Sequence, residues 1–209
     1  MTSPRPHDLV RVSHPVELLN GAPEWVSRAL ALAPWAVVRR DISGEGHLPV
    51  GVRGKTREQR WGAVISATNI AERLAPEQLL DRVKSLPLRT PAARALAELS
   101  ERLKAFPVRW GPTGSAGFEL ATGLRTLNAQ SDLDILIRAQ FHLDLPAQWA
   151  LLAGLRDGFA DLPARVDAQV DFNAGAVALD ELLSGADEVL AKTPTGPVLM
   201  PVAPLLDKR

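Results

Sequence analysis

Apolar positions recur along this chain with two periods, and the switches between them mark its elements. Pro15 to Leu19 and Pro23 to Leu32 carry helical spacing, with Pro23 placed as a first-turn residue. Trp35 to Arg40 reads as a strand, Asp41 to His47 as a turn through Gly44 and Gly46, and Leu48 to Arg53 as the returning arm of a hairpin. Pro76 to Ser85 and Pro91 to Lys104 have the spacing of amphipathic helices. The prolines of Leu86 to Pro91 mark the main break, with Pro107 a second candidate. This division gives a basic N-terminal α+β domain over residues 1–88 and a second domain over 89–209.

In the second half, Val108 to Trp110 leads into the glycine-rich run Gly111 to Gly117, and a helix is expected after it. Leu133 to Ile137 is strongly strand-forming, in the manner of a buried strand. Ala164 to Phe172 alternates apolar with polar, the pattern of a half-buried strand. No internal repeat or low-complexity linker interrupts the chain.

Composition narrows the class. The chain has 209 residues, 46% hydrophobic and 23% charged, which excludes a disordered tail, a collagen-like repeat and a coiled coil. There is no cysteine, so disulfides, thiolate zinc sites and a cysteine nucleophile are excluded, and a cytoplasmic location is expected. Pro4, Pro6, His7 and Asp8 stand where a signal peptide needs an apolar stretch, and no 18-residue apolar run exists to span a membrane. The formal net charge is zero, yet residues 1–110 hold 17 Lys and Arg against 11 Asp and Glu. Residues 111–209 hold 7 against 13, so a basic half precedes an acidic one.

Candidate chemistry lies in the acidic half. A strand, a glycine-rich turn and a helix at Trp110 to Leu120 direct backbone N–H groups toward an anion. The turn is neither a dinucleotide fingerprint nor a Walker A loop, because no lysine follows its last glycine. Asp132 and Asp134 stand at i and i+2 in a strand sequence, which puts both on one face with α-carbons roughly 6.5–7 Å apart. Two like charges on a buried strand repel and resist desolvation, and a divalent cation such as Mg²⁺ or Mn²⁺ relieves both costs. The simpler alternative makes Asp132 a strand cap and leaves Asp134 exposed. Asp167 is a third carboxylate if its strand pairs beside the first; Gln169 and Asp171 also fit a solvated outer face.

Other features read as structural. The five tryptophans are scattered without a basic stripe, so they suit a core rather than a base-stacking platform, and no nucleic-acid partner is expected. His7, His14, His47 and His142 share no metal-ligand spacing. Glu119 is expected to serve the first turn of its helix.

These residues carry a resemblance. Gly114-Ser115, Asp132-Leu133-Asp134 and Asp167 on a later strand are similar to the nucleotidyltransferase superfamily, although the 16 residues between Ser115 and Asp132 slightly exceed its usual spacing. The wider chain resembles the phosphoribosyl-dephospho-CoA transferases, the holo-acyl-carrier-protein synthases of malonate decarboxylase. That likeness rests on His7-Asp8-Leu9, Gly21 to Val26, Pro34 to Arg40, Leu48 to Gly54, Arg57 to Trp61, Trp110 to Leu120, Ser131 to Asp134, Arg165 to Asp167 and Lys192-Thr193.

The resemblance implies an α+β fold: a nucleotidyltransferase-like mixed β-sheet with flanking helices, preceded by a smaller α/β N-terminal domain. It implies a metal-dependent enzyme whose donor is triphosphoribosyl-dephospho-CoA and whose partner is the apo acyl-carrier subunit of malonate decarboxylase. A carrier serine would attack the α-phosphorus of the donor and pyrophosphate would leave. In that scheme Asp132, Asp134 and Asp167 hold Mg²⁺ or Mn²⁺, and Gly114 and Ser115 hold phosphates. Arg39, Arg40, Arg53, Lys55 and Lys192 bind the remaining anionic groups or stand as solvated surface residues. Arg57 and Arg60 are candidate charges for docking an acidic carrier. Two other readings share the motif: transfer of a nucleoside monophosphate to another acceptor, and a catalytically silent nucleotide-binding module.

Overall fold

The computed structural model of the chain describes residues 3–56, 58–140, 143–172 and 174–206. Two sheets divide it. The first has the order β4-β3-β2-β1-β5, from β1 (Leu9–Val12), β2 (Trp35–Val38), β3 (His47–Arg53), β4 (Arg60–Ser66) and β5 (Ile70–Leu74), all antiparallel. One helix, α1 (Glu24–Leu32), joins β1 to β2 by way of a short 3-10 turn at Pro15–Leu18.

Period-two alternation gives this sheet two buried faces. Val10, Val12, Ala36, Val38, Val50 and Val52 pack with Val26 and Leu30 of α1 in one core. Their neighbours Leu9, Trp35 and Leu74 point the other way, into the core of the second half. The expected hairpin is present, with Val37 opposite Gly51 and Val38 opposite Val50. Strands β4 and β5 were not foreseen. β4 lies at the sheet edge and is mostly exposed or half-exposed, so it lacks a clean apolar alternation.

The 3-10 helix Pro76–Ser85 follows β5, where an amphipathic α-helix was expected. Its start is wedged against the next sheet: a side chain on Gly111 would overlap the Pro76 carbonyl. Then come α2 (Pro91–Arg102), β6 (Arg109–Pro112), α3 (Gly114–Thr122), β7 (Leu133–Arg138), α4 (Leu145–Asp157) and β8 (Val166–Phe172). The chain continues through β9 (Gly175–Ala178), α5 (Leu179–Leu182), β10 (Glu188–Thr193), β11 (Gly196–Pro201) and α6 (Val202–Leu206). Helix α2 starts at Thr90, whose hydroxyl accepts from the Ala93 N–H at 3.2 Å, and α4 starts at Asp144, which accepts from the Ala147 N–H at 2.9 Å.

The second sheet runs β11-β10-β9-β8-β7-β6 and is mixed: β7 and β8 are parallel and the other pairs antiparallel. A parallel pair needs a crossover, which α4 supplies. Leu133, Ile135 and Ile137 of β7 are fully buried with Leu96, Leu99, Leu152 and Leu155 of the covering helices, which explains the apolar run. The α+β expectation holds, with one sheet in each half of the chain.

Candidate active site

A cleft of about 550 Å³ opens between the two sheets. Its first-sheet wall includes His7, Arg39, Arg53 and Trp61, and its second-sheet wall includes Thr113, Gly114, Asp134, Asp167 and Gln169. The parallel pairing of β7 with β8 sets Asp134 directly opposite Asp167, so the two carboxylates stand side by side, both half-buried. Asp132 differs from the expectation that it shares the strand. The ladder begins at Leu133, and Asp132 is exposed just before it. Among the described residues no group of three His, Cys, Asp or Glu is gathered to hold a metal ion.

The glycine turn is built against this pair. The Thr113 N–H donates to the Asp134 carbonyl at 2.9 Å, which ties the start of α3 to β7. Gly114 has φ +54° and lies so close to the Asp134 carboxylate that a Cβ would overlap it. Next to it, the Ser115 hydroxyl accepts from Nη2 of Arg53 at 2.5 Å, and the Arg53 guanidinium stands 6.0 Å over the Phe118 ring. Burial and then Arg60 push the Arg53 pKa below its ordinary value, and Asp134 pulls the other way.

The other expected cations are scattered. Arg39 lines the cleft, rests where Gly62 has no side chain, and pairs with Asp41 at 3.2 Å. Arg40 reaches across to the second sheet and pairs with Asp171. Lys55 is exposed on the loop after β3, its N–H donating to Gln59 at 2.8 Å, and is not part of the cleft wall. Lys192 is exposed on β10. Arg57 lies outside the described residues, as does His142.

Two structural readings need correction. Asp171 is no solvated outer residue: its side chain is only 11% exposed and is held by Arg40 and by Arg138 at 2.6 Å. Glu119 does not serve the first turn of α3. It is buried, accepts from the Thr126 and Leu127 N–H groups at 2.9 Å each, and pairs with Arg89, which ties down the loop after α3.

The sequence pattern gave no site role to His7 and did not single out Arg138. Arg138, 2% exposed at the end of β7, bonds Glu77 at 2.9 Å and Asp171 at 2.6 Å and faces Asp8 at 3.5 Å. Asp8 in turn pairs with Arg73 at 2.6 Å, so this buried network stitches the two sheets together beside the cleft. Burial raises the Asp8 pKa despite the Arg5 N–H and Arg73. Burial also acts to raise Glu77, but its own backbone N–H and Arg138 hold it below the usual range. The signal was an arginine closing a buried strand, a misfit of the same kind as Asp134 within it. His7 adopts φ +72°, rare for a residue with a side chain, and its pKa is lowered to about 4 by burial, then by Arg40, with Asp171 opposing.

Comparison with known proteins identifies two matched segments, one for each sheet. Residues 5–76 match the family described as the phosphoribosyl-dephospho-CoA transferase MdcG N-terminal domain, and residues 78–203 match its C-terminal domain. The chain belongs to the MdcG family. A phosphoribosyl-dephospho-CoA transferase of Pseudomonas aeruginosa is 41% identical over 197 residues, covering 94% of this chain and 92% of that protein. One of Pseudomonas putida is 40% identical over 200 residues, 96% and 95% of the two chains. One of Klebsiella pneumoniae subsp. pneumoniae is 41% identical over 197 residues, 93% of each. No solved structure matches. Membership of the MdcG family makes this chain an enzyme, a transferase. Among the described residues no helix is long and apolar enough to cross a membrane.

Proposed function

We propose that this MdcG-family transferase moves the 2′-(5-phosphoribosyl)-3′-dephospho-CoA group from its triphosphate precursor to a serine of the apo acyl-carrier subunit of malonate decarboxylase. In this reaction the serine oxygen forms a bond to the α-phosphorus, the bond from that phosphorus to the β-phosphate oxygen breaks, and pyrophosphate leaves. The serine proton passes to a carboxylate of the cleft.

The observation that carries this reading is the side-by-side Asp134 and Asp167 beneath the Gly114-Ser115 turn. The paired hard carboxylate oxygens of Asp134 and Asp167 suit Mg²⁺ or Mn²⁺, with the donor's phosphate oxygens completing the shell and Asp132 outside the pair at the exposed edge. The metal, when bound, supplies charge neutralisation at the phosphates. Ser115, the N–H groups at the start of α3 and Arg53 hold the triphosphate end, and Arg39 faces it from the opposite wall. Asp167 accepts the serine proton. An acyl-carrier partner of acidic surface is steered by the basic half, so its kcat/KM falls as salt rises from low to moderate concentration.

The test is direct. Purified protein is mixed with Mg²⁺, the triphosphate donor and the apo carrier, and the carrier is weighed by mass spectrometry. The expected result is one added phosphoribosyl-dephospho-CoA group with one pyrophosphate released. An unchanged carrier, or loading by ATP instead, overturns the reading.

A further inference from the structure

A second cavity, about 560 Å³, shares Arg53 with the cleft and lies between α1, the loop after β3 and α3. Its apolar surface comes from Trp25, Leu32 and Leu124, together with Phe118, the ring beneath Arg53. Leu32 is 74% exposed at the end of α1, a large apolar side chain in open solvent at the mouth of a cavity. Four cations, Arg28, Arg53, Lys55 and Arg125, line the same space, and among its lining residues there is no acid. Arg28 pairs with Glu24 at 3.0 Å on the exposed side of α1. Lys55 and Arg125 are exposed.

An apolar floor with an aromatic ring and a rim of net positive charge suits a ligand that is flat at one end and anionic at the other. We propose that this cavity binds the adenosine 5′-diphosphate portion of the CoA-derived donor. This rests on the reading given under Proposed function. In that donor a single ribose joins the triphosphate to the adenosine, so the two portions need adjoining sites. Arg53 is the residue common to both: it lines each space, and its guanidinium bonds Ser115 at the start of α3 and covers Phe118 in the second cavity. The adenine lies against the apolar floor and the diphosphate meets Lys55 and Arg125. Binding energy gathered here, away from the reacting phosphorus, orients the donor for attack.

The probes are dephospho-CoA, ADP, GDP and pantetheine, titrated calorimetrically into the full chain without divalent metal. Dephospho-CoA and ADP are expected to bind within threefold of each other, GDP at least tenfold more weakly, and pantetheine without measurable heat. Leu32→Asp and Arg125→Glu, both at exposed positions and each checked for an unchanged melting temperature, weaken ADP at least tenfold. Asp134→Asn, in the cleft, changes ADP binding less than twofold. Unaltered ADP affinity in both cavity variants overturns the proposal, as does equal binding of GDP or a loss in Asp134→Asn that matches theirs. The carrier-loading assay keeps the two readings apart. Loading by wild type with a donor KM untouched by Leu32→Asp removes the cavity and leaves the function, whereas cavity-dependent ADP binding without loading does the reverse.

Discussion

The backbone of Gly114 lies directly against the carboxylate of Asp134, leaving no room for a Cβ. This contact couples the phosphate-facing turn to the acidic strand, and it yields the most selective test of the site. Gly114→Ala both forces a methyl into Asp134 and places a side chain at φ +54°. The left-handed backbone alone costs about 1–2 kcal/mol of stability, while turnover is expected to fall at least a hundredfold because Asp134 is displaced. Urea denaturation and steady-state rates on the same sample separate the two effects, and a Gly114→Ala enzyme with near-normal kcat shows that Asp134 does not work from this position.

The carboxylates themselves are ranked by their placement. Asp134→Asn and Asp167→Asn remove charge from the paired positions, and each is expected to cut turnover by about a thousandfold or more at saturating Mg²⁺. Asp132→Asn, at the exposed edge, is the mildest of the three. Binding of Mn²⁺ followed by electron paramagnetic resonance should weaken in the same order, and undiminished Mn²⁺ binding in both paired variants removes the metal assignment.

Much of this arrangement is legible in the sequence, and what is not has a common cause. Asp134 and Asp167 declare themselves because a charged residue in a strand pattern is locally odd, and parallel pairing then aligns them. The hairpin from Trp35 to Arg53 is legible for the same local reason. Arg138, Asp8 and Glu77 are hard to read because their ion-pair partners lie 32 or more positions away, and no short-range pattern encodes a buried ion pair between sheets. Asp171 misleads for that reason: its alternation fits a solvated face, and only tertiary contact with Arg40 and Arg138 buries it. Pro76–Ser85 has the apolar spacing of a helix, and that spacing alone does not separate 3-10 from α winding.

Arg138 supports a stability prediction. Replacing it with methionine keeps much of its volume but takes from Glu77 its nearest cation and leaves Asp171 with Arg40 alone. The loss should be ~3–5 kcal/mol, the usual cost of breaking a buried charge pair from one side. Chemical denaturation at pH 7 measures it, and the deficit should shrink as pH is lowered, because Arg138 holds the Glu77 carboxyl below its usual range and that contribution is lost as Glu77 protonates. A cost below about 0.5 kcal/mol, the range of an exposed substitution, excludes the clamp.

His7 makes stability depend on pH in a defined direction. Its folded pKa of about 4 lies below the ordinary histidine value of 6.5, held down by burial and by Arg40, with Arg138 and Lys192 adding and Asp171 opposing. Between those values the unfolded chain binds the extra proton, so stability contributed by a neutral His7 is complete above about pH 6.5 and is lost as pH falls toward 4. His7→Gln should flatten that part of the curve relative to wild type, read from urea midpoints between pH 4.5 and 7.5. Parallel curves for the two proteins refute the assignment.

The double-faced first sheet has a consequence for how this enzyme can be divided. Leu9, Trp35 and Leu74 are 4%, 7% and 7% exposed only because the second half of the chain covers them. Cutting between the halves would open an oily seam on each fragment, and each would keep only one wall of the cleft. Two such fragments, expressed together, should find each other and restore transfer, while either one alone should aggregate. Permanence of the junction, rather than a hinged encounter, is what the packing of these three residues selects.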